Sequence, residues 1–327
     1  MDKNLELIEK VLGLLKANGE WIERYSKYIT NIKKNPKTKI KRRPFNKPAG
    51  LSLYSSVSIN GYRYNLRFLG ESVGDVSFDK DGQNVKLLIN GYNQKHDWES
   101  TTAQDFRIKF KKEFNKTDKD SLSYKLHSEE HKVESQLLDM FSKSKGSEKP
   151  FSIKPVKLYD CFFQMPTPLS ASKPPITYSG KNGGGIDILA RVKRGNRPYL
   201  CVIEVKDGNE NNEPQSQAMK QAITYAVFIA KLLRSKSGQQ WWNFFMGRFE
   251  EKYVVKDGLI PNELNIDVVT IMPKGDTEEL CDKTFDVPED STDLKTTLHC
   301  HSLYYDKQTF EKERRFVFSG TYLEQFN

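Results

Sequence analysis

Apolar residues near the start of the chain recur every three or four positions, the spacing of one face of an α-helix. The first run predicts a helix that ends at Asn18-Gly19, because these residue types often terminate helices. The second run starts at Trp21 and predicts another helix, which stops where prolines begin to interrupt the chain. The apolar positions are Leu5, Ile8, Val11, Leu12, Leu15, Trp21, Ile22, Tyr25, Tyr28, Ile29 and Ile32.

From Leu51 the apolar residues alternate with polar ones, the period of a β-strand with one buried face. Two hairpin-type turns interrupt this pattern, at Asn60-Gly61 and Asp81-Gly82. Three further apolar residues alternate with basic ones and predict a last strand: Phe106, Ile108 and Phe110. We therefore expect a small antiparallel β unit over residues 51–112, with one apolar and one partly basic face.

The second half of the chain opens with an amphipathic helical pattern in which Glu134 stands beside the apolar stripe. Residues 151–163 then alternate and predict one strand. Residues 167–185 are rich in Pro, Ser and Gly and predict a long loop, which a compact domain keeps mainly for function.

Two apolar runs follow and predict neighbouring strands, GIDILARV and PYLCVIEVK, joined by the turn KRGNR. Pro214 suits the first turn of a helix. The buried face of that helix is predicted to hold Ala218, Ala222, Tyr225, Ala226, Ile229 and Leu233. Further on, NIDVVTIMP reads as a fully buried strand and HCHSLYY as a final or edge strand.

Composition narrows the class of protein. The chain has 327 residues, 37% hydrophobic and 12% aromatic, which suits two domains and is too rich in core-forming residues for a disordered chain. A charged fraction of 29% and a mean hydropathy of -0.69 exclude an integral membrane protein. The start of the chain lacks the pattern of a secretory signal, so we expect a cytoplasmic, prokaryotic protein. Four cysteines without a CxxC pair predict neither a disulfide framework nor a zinc knuckle.

The net charge of +9 indicates a polyanionic partner, and DNA is the partner we expect. The cations are concentrated, because no Asp or Glu occurs between Arg24 and Gly70. The residues predicted to contact nucleic acid are Lys33, Lys34, Lys37, Lys39, Lys41, Arg42, Arg43, Lys47, Arg63 and Arg67, with Arg107, Lys109 and Lys111 as further phosphate contacts. The alternative for the stretch from Lys33 to Lys47 is a solvated linker.

One group of polar residues interrupts the two apolar runs. Asp187 lies at the start of the first predicted strand, and Glu204 and Lys206 lie at the end of the second. In strands that run in opposite directions, the start of one lies beside the end of the other, so the three side chains converge. Two carboxylates there need a counter-charge, and a hard divalent cation such as Mg²⁺ supplies it. Lys206 would then lie beside a metal-bound water.

These residues resemble the PD-(D/E)XK phosphodiesterase superfamily, which includes restriction enzymes, Holliday-junction resolvases and repair and defence nucleases. The resembling run is G-I-D, with Glu204 seventeen positions after Asp187 in E-V-K, and it extends over about residues 120–275. The resemblance implies that Asp187 and Glu204 bind Mg²⁺, with Mn²⁺ as a substitute, that Val205 offers its carbonyl, and that Lys206 assists the attacking water.

Two more features match that superfamily. Glu134 in ESQLLDMF corresponds to a helix glutamate that reaches the metal, and Gln221 and Tyr225 correspond to a Q-x-x-x-Y motif on the helix after the lysine. Gln221 would steady the lysine or a phosphate, with Tyr225 in support. The proline that usually precedes the aspartate is Ile186 here.

Other motifs give weaker indications of function. Short E-x-K and D-x-K matches also occur at Glu250 and Asp293, but in polar stretches without a preceding strand and aspartate. The glycines at 183–185 lack the GKS or GKT of a phosphate-binding loop and favour a close backbone approach instead. The aromatic cluster at 241–245 suits core packing better than base stacking.

The sequence as a whole predicts an α/β fold with a restriction-endonuclease-like mixed central sheet flanked by helices. An N-terminal helical and antiparallel β region, residues 1–115, would select the substrate, and residues 116–327 would form the nuclease domain. The predicted activity is Mg²⁺-dependent hydrolysis of DNA in restriction, defence or repair. The alternatives are a silent nucleic-acid-binding scaffold and an RNA-directed nuclease. The sequence leaves open whether the protein forms a homodimer and whether it has a methyltransferase or another defence protein as a partner. No membrane association is expected.

Overall fold

In the computed structural model, the described residues are 2–34, 50–55, 57, 63–78, 84–115, 129–143, 152–159, 161–180, 183–194, 197–207, 213–248, 258–275 and 279–326. The helices are α1 (Lys3–Ala17), α2 (Trp21–Lys34), α3 (Thr101–Asn115), α4 (Glu129–Ser142), α5 (Gln215–Leu233), α6 (Gly238–Phe245), α7 (Lys307–Glu313) and a 3-10 helix (Thr321–Phe326). The first nine strands are β1 (Leu51–Ser55), β2 (Arg63–Phe68), β3 (Glu71–Ser77), β4 (Lys86–Ile89), β5 (Lys95–Asp97), β6 (Ile153–Pro155), β7 (Lys157–Leu158), β8 (Cys161–Phe163) and β9 (Met165–Pro166). The other nine are β10 (Leu169–Ser170), β11 (Thr177–Tyr178), β12 (Gly185–Ile186), β13 (Ile188–Arg194), β14 (Arg197–Val205), β15 (Glu263–Pro273), β16 (Asp282–Val287), β17 (Lys295–Tyr305) and β18 (Phe318–Ser319).

The C-terminal sheet is mixed, which confirms the α/β class. Its strands run in the order β16-β17-β15-β14-β13-β6, and β18 pairs with β17. The predicted neighbours β13 and β14 form an antiparallel pair, whereas β14, β15 and β17 run parallel. Helices cover both faces, because α1, α2, α5 and α6 share one core cluster with the sheet and α4 shares the other. The strand β14 therefore lies inside the fold.

The N-terminal sheet has the order β5-β4-β3-β2-β1-β8-β7. Its first five strands are antiparallel neighbours, in agreement with the predicted β unit. The strand β1 also pairs in parallel with β8, at Tyr54 with Phe162, so this sheet contains segments from both sides of residue 115. Helix α2 packs against α5 through Tyr25, whose ring centroid lies 4.9 Å from that of Phe228, and α1 shares the same core cluster. The division at residue 115 stays a prediction.

The strand predicted at residues 106–110 is wrong, because this segment belongs to helix α3. Phe106 and Phe110 are four positions apart and therefore share a face of a helix as well as a face of a strand. Ile108 distinguishes the two cases, because a strand would bury it with the phenylalanines, whereas its side chain is 49% exposed. Ala103 completes the buried face of the helix against the N-terminal sheet.

The single strand predicted at residues 151–163 is also wrong. The described part of this segment forms β6, which pairs with β13, and then β7 and β8, which pair with each other in the N-terminal sheet. The chain changes sheets after Val156, whose N–H still donates to the carbonyl of Leu189 on β13 at 2.8 Å. Tyr159 makes the turn between β7 and β8 with a φ of 58°.

Three smaller predictions have different outcomes. The loop at residues 167–185 contains the short hairpin β10–β11 and the strand β12. The HCHSLYY segment is the C-terminal part of β17, which is not an edge strand, because β16 pairs with the first three residues of the segment and β18 with the last two. The cluster at 241–245 is core, since Trp241 and Phe245 have no exposed surface. The turns at residues 60–61 and 81–82 lie outside the described residues, as does part of the turn between β13 and β14.

Candidate functional site

The hairpin β13–β14 brings Asp187 and Glu204 together. Ile188 pairs with Ile203, so Asp187 lies opposite Glu204 where β14 ends. An Oδ2 oxygen of Asp187 accepts a hydrogen bond from the backbone N–H of Val205 at 2.8 Å. This bond fixes the aspartate across the strand end, because it satisfies a main-chain donor that no longer pairs within the sheet.

Glu204 and Lys206 lie on the same face of the sheet, two positions apart. Glu204 is fully buried, and its Oε1 accepts a hydrogen bond from Nζ of Lys206 at 2.8 Å. The backbone of Lys206 continues the sheet, since its N–H donates to the carbonyl of Ile271 at 2.9 Å. Val205 between them is buried in the opposite core cluster. The structure therefore groups Asp187, Glu204 and Lys206 as the spacing predicted.

Two more carboxylates reach the same ammonium group. Oε2 of Glu213 lies 3.5 Å from Nζ of Lys206, and Oε2 of Glu130 lies 3.7 Å from it. Sequence reasoning missed both residues. Glu130 precedes Glu134 by one helical turn, so the spacing of four could have revealed it. Glu213 stands just before α5, and no sequence pattern marks it.

Burial and crowding shift the pKa values of these groups. Burial raises the pKa of Glu204 well above its usual range, and the neighbouring Asp187 carboxyl raises it further. Burial and Asp187 likewise raise the pKa of Glu130 to about 7. Burial alone would lower the pKa of Lys206, but Glu204, Asp187 and Glu130 raise it above its ordinary value. The lysine is therefore held in its protonated form.

Glu134 approaches this group from α4, on the other side of the strand end. Its side chain is buried, and burial followed by the Asp187 charge raises its pKa strongly. Oε1 of Glu134 and Oε2 of Glu204 are buried, and neither has a hydrogen-bond partner within the described part of the chain. A buried carboxylate oxygen without a donor is costly and suits a cation from outside the protein.

The donor set fits Mg²⁺ in its chemistry, because Asp187, Glu204 and Glu134 all offer carboxylate oxygens. Across the described ranges, however, no three His, Cys, Asp or Glu side chains are already arranged around one metal position. Nζ of Lys206 supplies the positive charge at Glu204 instead. The carbonyl of Val205 stays a predicted ligand, while its N–H is the atom that contacts Asp187.

Gln221 and Tyr225 lie on α5, over the same strand end. Nε2 of Gln221 donates to the hydroxyl of Tyr225 at 3.4 Å, and both side chains are buried. Burial, followed by the charges of Glu204 and Asp187, raises the pKa of Tyr225. A Cβ atom at Gly184 would lie 2.1 Å from the Tyr225 hydroxyl, so a glycine is required there for close approach. The glycine loop therefore packs against the predicted Q-x-x-x-Y motif.

Some of the residues predicted to contact nucleic acid are described by the structure, and others are not. Lys33 is exposed at the end of α2, and Lys34 is in the same helix. Arg63 is on β2 and pairs with Asp75. Lys37, Lys39, Lys41, Arg42, Arg43 and Lys47 lie outside the described residues.

The three basic residues predicted on a strand at 107–111 are on helix α3 instead. Lys109 and Lys111 are exposed there. The guanidinium of Arg107 lies 4.3 Å from the ring centroid of Trp98 and also donates to the Trp98 carbonyl. That side chain is therefore engaged within the protein.

No protein-family model, curated protein or solved structure matched the chain. Among the described residues, no helix combines the length and the apolar character needed to cross a membrane. The chemistry of the candidate site is therefore inferred from its own side chains.

Proposed function

We propose that this protein is a Mg²⁺-dependent DNA endonuclease with a restriction-endonuclease-like C-terminal sheet. One observation carries the proposal: Asp187, Glu204 and Lys206 meet at the end of the buried pair β13–β14, with Lys206 hydrogen-bonded to Glu204. Isolated carboxylates are rarely kept inside a central strand, because their desolvation is costly. Two such carboxylates beside one lysine therefore support a catalytic use.

The proposed reaction is hydrolysis of a phosphodiester. A water oxygen attacks phosphorus while the bond to the leaving oxygen breaks. The proton of the water passes to solvent, and the leaving oxygen takes up a proton from solvent to become a hydroxyl group. Mg²⁺ held by Asp187 and Glu204, with Glu134 in support, would neutralise phosphate charge and acidify the water. Because its pKa is raised, Lys206 acts as a hydrogen-bond donor that positions the water or stabilises the phosphate oxygens.

Three residues hold this group in place. The N–H of Val205 orients Asp187, and Gln221 contacts Tyr225 beside the carboxylates. Gln221 lies on the covering helix, which supports its predicted role of steadying Lys206 or a phosphate. Neither Gln221 nor Tyr225 offers an anionic ligand, so both serve the geometry of the site.

Cleavage assays test the proposal. At least one of supercoiled, linear and branched DNA should be cut in Mg²⁺ or Mn²⁺ and not in EDTA, while Ca²⁺ should allow binding with little cleavage. Asp187→Ala and Glu204→Ala should abolish cleavage, and Lys206→Ala should lose it while metal binding persists. Asp293→Ala is the matched control, because Asp293 stands in an exposed D-x-K match away from the site.

The rival functions predict other outcomes. A silent scaffold would bind DNA without metal-dependent cleavage, and the three substitutions would change affinity only. An RNA-directed nuclease would cut RNA under the same metal conditions and leave DNA intact. Loss of cleavage in Asp293→Ala equal to that in Asp187→Ala would also contradict the proposed site.

A further inference from the structure

Arg67 lies on β2, but its guanidinium points away from the apolar face of that strand and contacts the boundary of the candidate site. Its Nη2 donates to Oε1 of Gln164 at 3.0 Å, and its Nε donates to Oδ1 of Asn65 at 2.8 Å. The guanidinium also stacks over Tyr54, 4.2 Å from the ring centroid. Three neutral groups therefore hold one cation in a defined orientation.

These contacts place Arg67 beside the carboxylate group. Gln164 stands next to Gly185, where a Cβ atom would lie 3.7 Å from its Nε2, two residues before Asp187. The charge of Arg67 is close enough to lower the pKa of buried Glu134, against the larger upward effects of burial and Asp187. Arg67 is thus a basic residue of the N-terminal sheet that reaches the site.

The environment of Arg67 is unusual for a partly buried arginine. In the parts of the chain that the structure describes, no carboxylate lies within ion-pair distance of it, and its Nη1 donates no hydrogen bond. Arginine stays charged in proteins, and its planar fork matches the two oxygens of a phosphate. A fixed guanidinium with a free edge and no carboxylate within ion-pair distance in the described parts of the chain can bind an external anion.

We propose that Arg67 binds a backbone phosphate of the nucleic acid next to the phosphodiester that is cleaved. This inference rests on the proposed function and extends it, since it makes the N-terminal sheet part of the substrate site. The competing explanation is structural: Arg67 would only tie β2 to the segment at Gln164. The two explanations differ in how DNA affinity depends on salt.

The experiment measures binding of a short fluorescent duplex in Ca²⁺ over a series of NaCl concentrations. Each phosphate contact contributes about -0.9 to the log-log salt slope on duplex DNA. Arg67→Gln should therefore flatten the slope by about 0.9 and weaken binding roughly tenfold, as expected for a hydrogen bond to a charged group. Arg67→Lys should keep the slope but lose affinity several-fold, because lysine lacks the planar fork.

Arg315→Gln is the control, because this substitution removes the same charge from an exposed arginine that is paired with Glu313. Thermal melts establish that each variant is folded. If Arg67→Gln does not fold, the several-fold loss of DNA affinity in Arg67→Lys carries the test, and an unchanged affinity would overturn the assignment. Equal slopes for the wild type, Arg67→Gln and Arg315→Gln would overturn the assignment, as would a wild type that binds no DNA.

Cleavage is measured in parallel, so the two proposals fail separately. A protein that cuts DNA while Arg67→Gln binds normally retains the nuclease function and loses the Arg67 contact. A protein that never cuts DNA but shows the slope change keeps the phosphate site and loses the nuclease function.

Discussion

The two sheets of this protein differ in where their polar side chains lie. The C-terminal sheet is covered on both faces, so its strands read as apolar runs in which Glu204 is an exception. Along β2 the N-terminal sheet has one covered face, and the polar residues Arg63, Asn65 and Arg67 alternate on the other. A charged side chain in the C-terminal sheet is therefore buried and indicates a specific role, whereas a charged side chain on the open face of the N-terminal sheet is expected of any solvent-facing position.

This difference explains why the sequence marked the candidate site more clearly than the basic surface. Asp187 and Glu204 stand out against buried neighbours, but Arg67 looks like any solvent-facing residue of an amphipathic strand. Only the positions of Tyr54 and Gln164 around it distinguish Arg67 from Arg63. The two regions also share a boundary, and the following predictions test how far they act as one unit.

The largest expected effect is that of removing residues 1–115. The fragment 116–327 would leave β8 without its partner β1 and uncover the face of α5 that contacts Tyr25. We expect it to lack the sharp unfolding transition of the full chain, because much apolar surface would return to water. Urea unfolding followed by near-ultraviolet circular dichroism measures this. A fragment that unfolds as cooperatively as the full chain would support the division at residue 115.

The next effect concerns the charge pair inside the C-terminal sheet. Lys206→Ala leaves Glu204 buried without its cation, which costs about 3–5 kcal/mol. The pKa of Glu204 is already raised, so the cost is greatest at high pH and falls as acidification protonates the carboxyl. Urea unfolding at several pH values measures the effect. Lys295→Ala is the control, because its side chain is 60% exposed and paired with Asp286.

A steric test at the site follows. Gly184→Ala should cost about 1–3 kcal/mol, because the added Cβ would lie 2.1 Å from the hydroxyl of Tyr225. Tyr225→Phe removes that oxygen and should restore part of the loss in the double variant. Gly185→Ala is the neighbouring control, since its nearest contact would be 3.7 Å away. Equal melting temperatures for Gly184→Ala and the wild type would contradict the close packing.

The smallest effect is expected on the N-terminal sheet. Arg63 and Asp75 form an ion pair with the arginine side chain 60% exposed. Exposed pairs contribute about 0–1 kcal/mol, so Arg63→Gln should change the free energy of unfolding by no more than that. Thermal melts at low and high salt measure the difference. A decrease in the free energy of unfolding as large as that of Lys206→Ala would contradict the difference between the two sheets.

Sequence periodicity identified most elements and grouped the candidate site, but it failed where two structures share a pattern. Phe106 and Phe110 fit a strand and a helix equally, and only the exposure of Ile108 separates them. The segment before Phe163 divides between two sheets, which alternation within one run does not reveal. The carboxylates of Glu130 and Glu213 reach Lys206 through tertiary packing. The helical spacing from Glu134 could have indicated Glu130, whereas no local pattern marks Glu213.

The parallel pairing of β1 with β8 also matters for biosynthesis. The hydroxyl of Ser55 donates to the carbonyl of Phe162, which the ribosome adds 107 positions later. During that interval the edge of β1 has no native partner, and unpaired strand edges favour association between nascent chains. Closing so long a segment is also entropically slow. We therefore expect the yield of native protein to depend on translation speed and on chaperones that cover this edge.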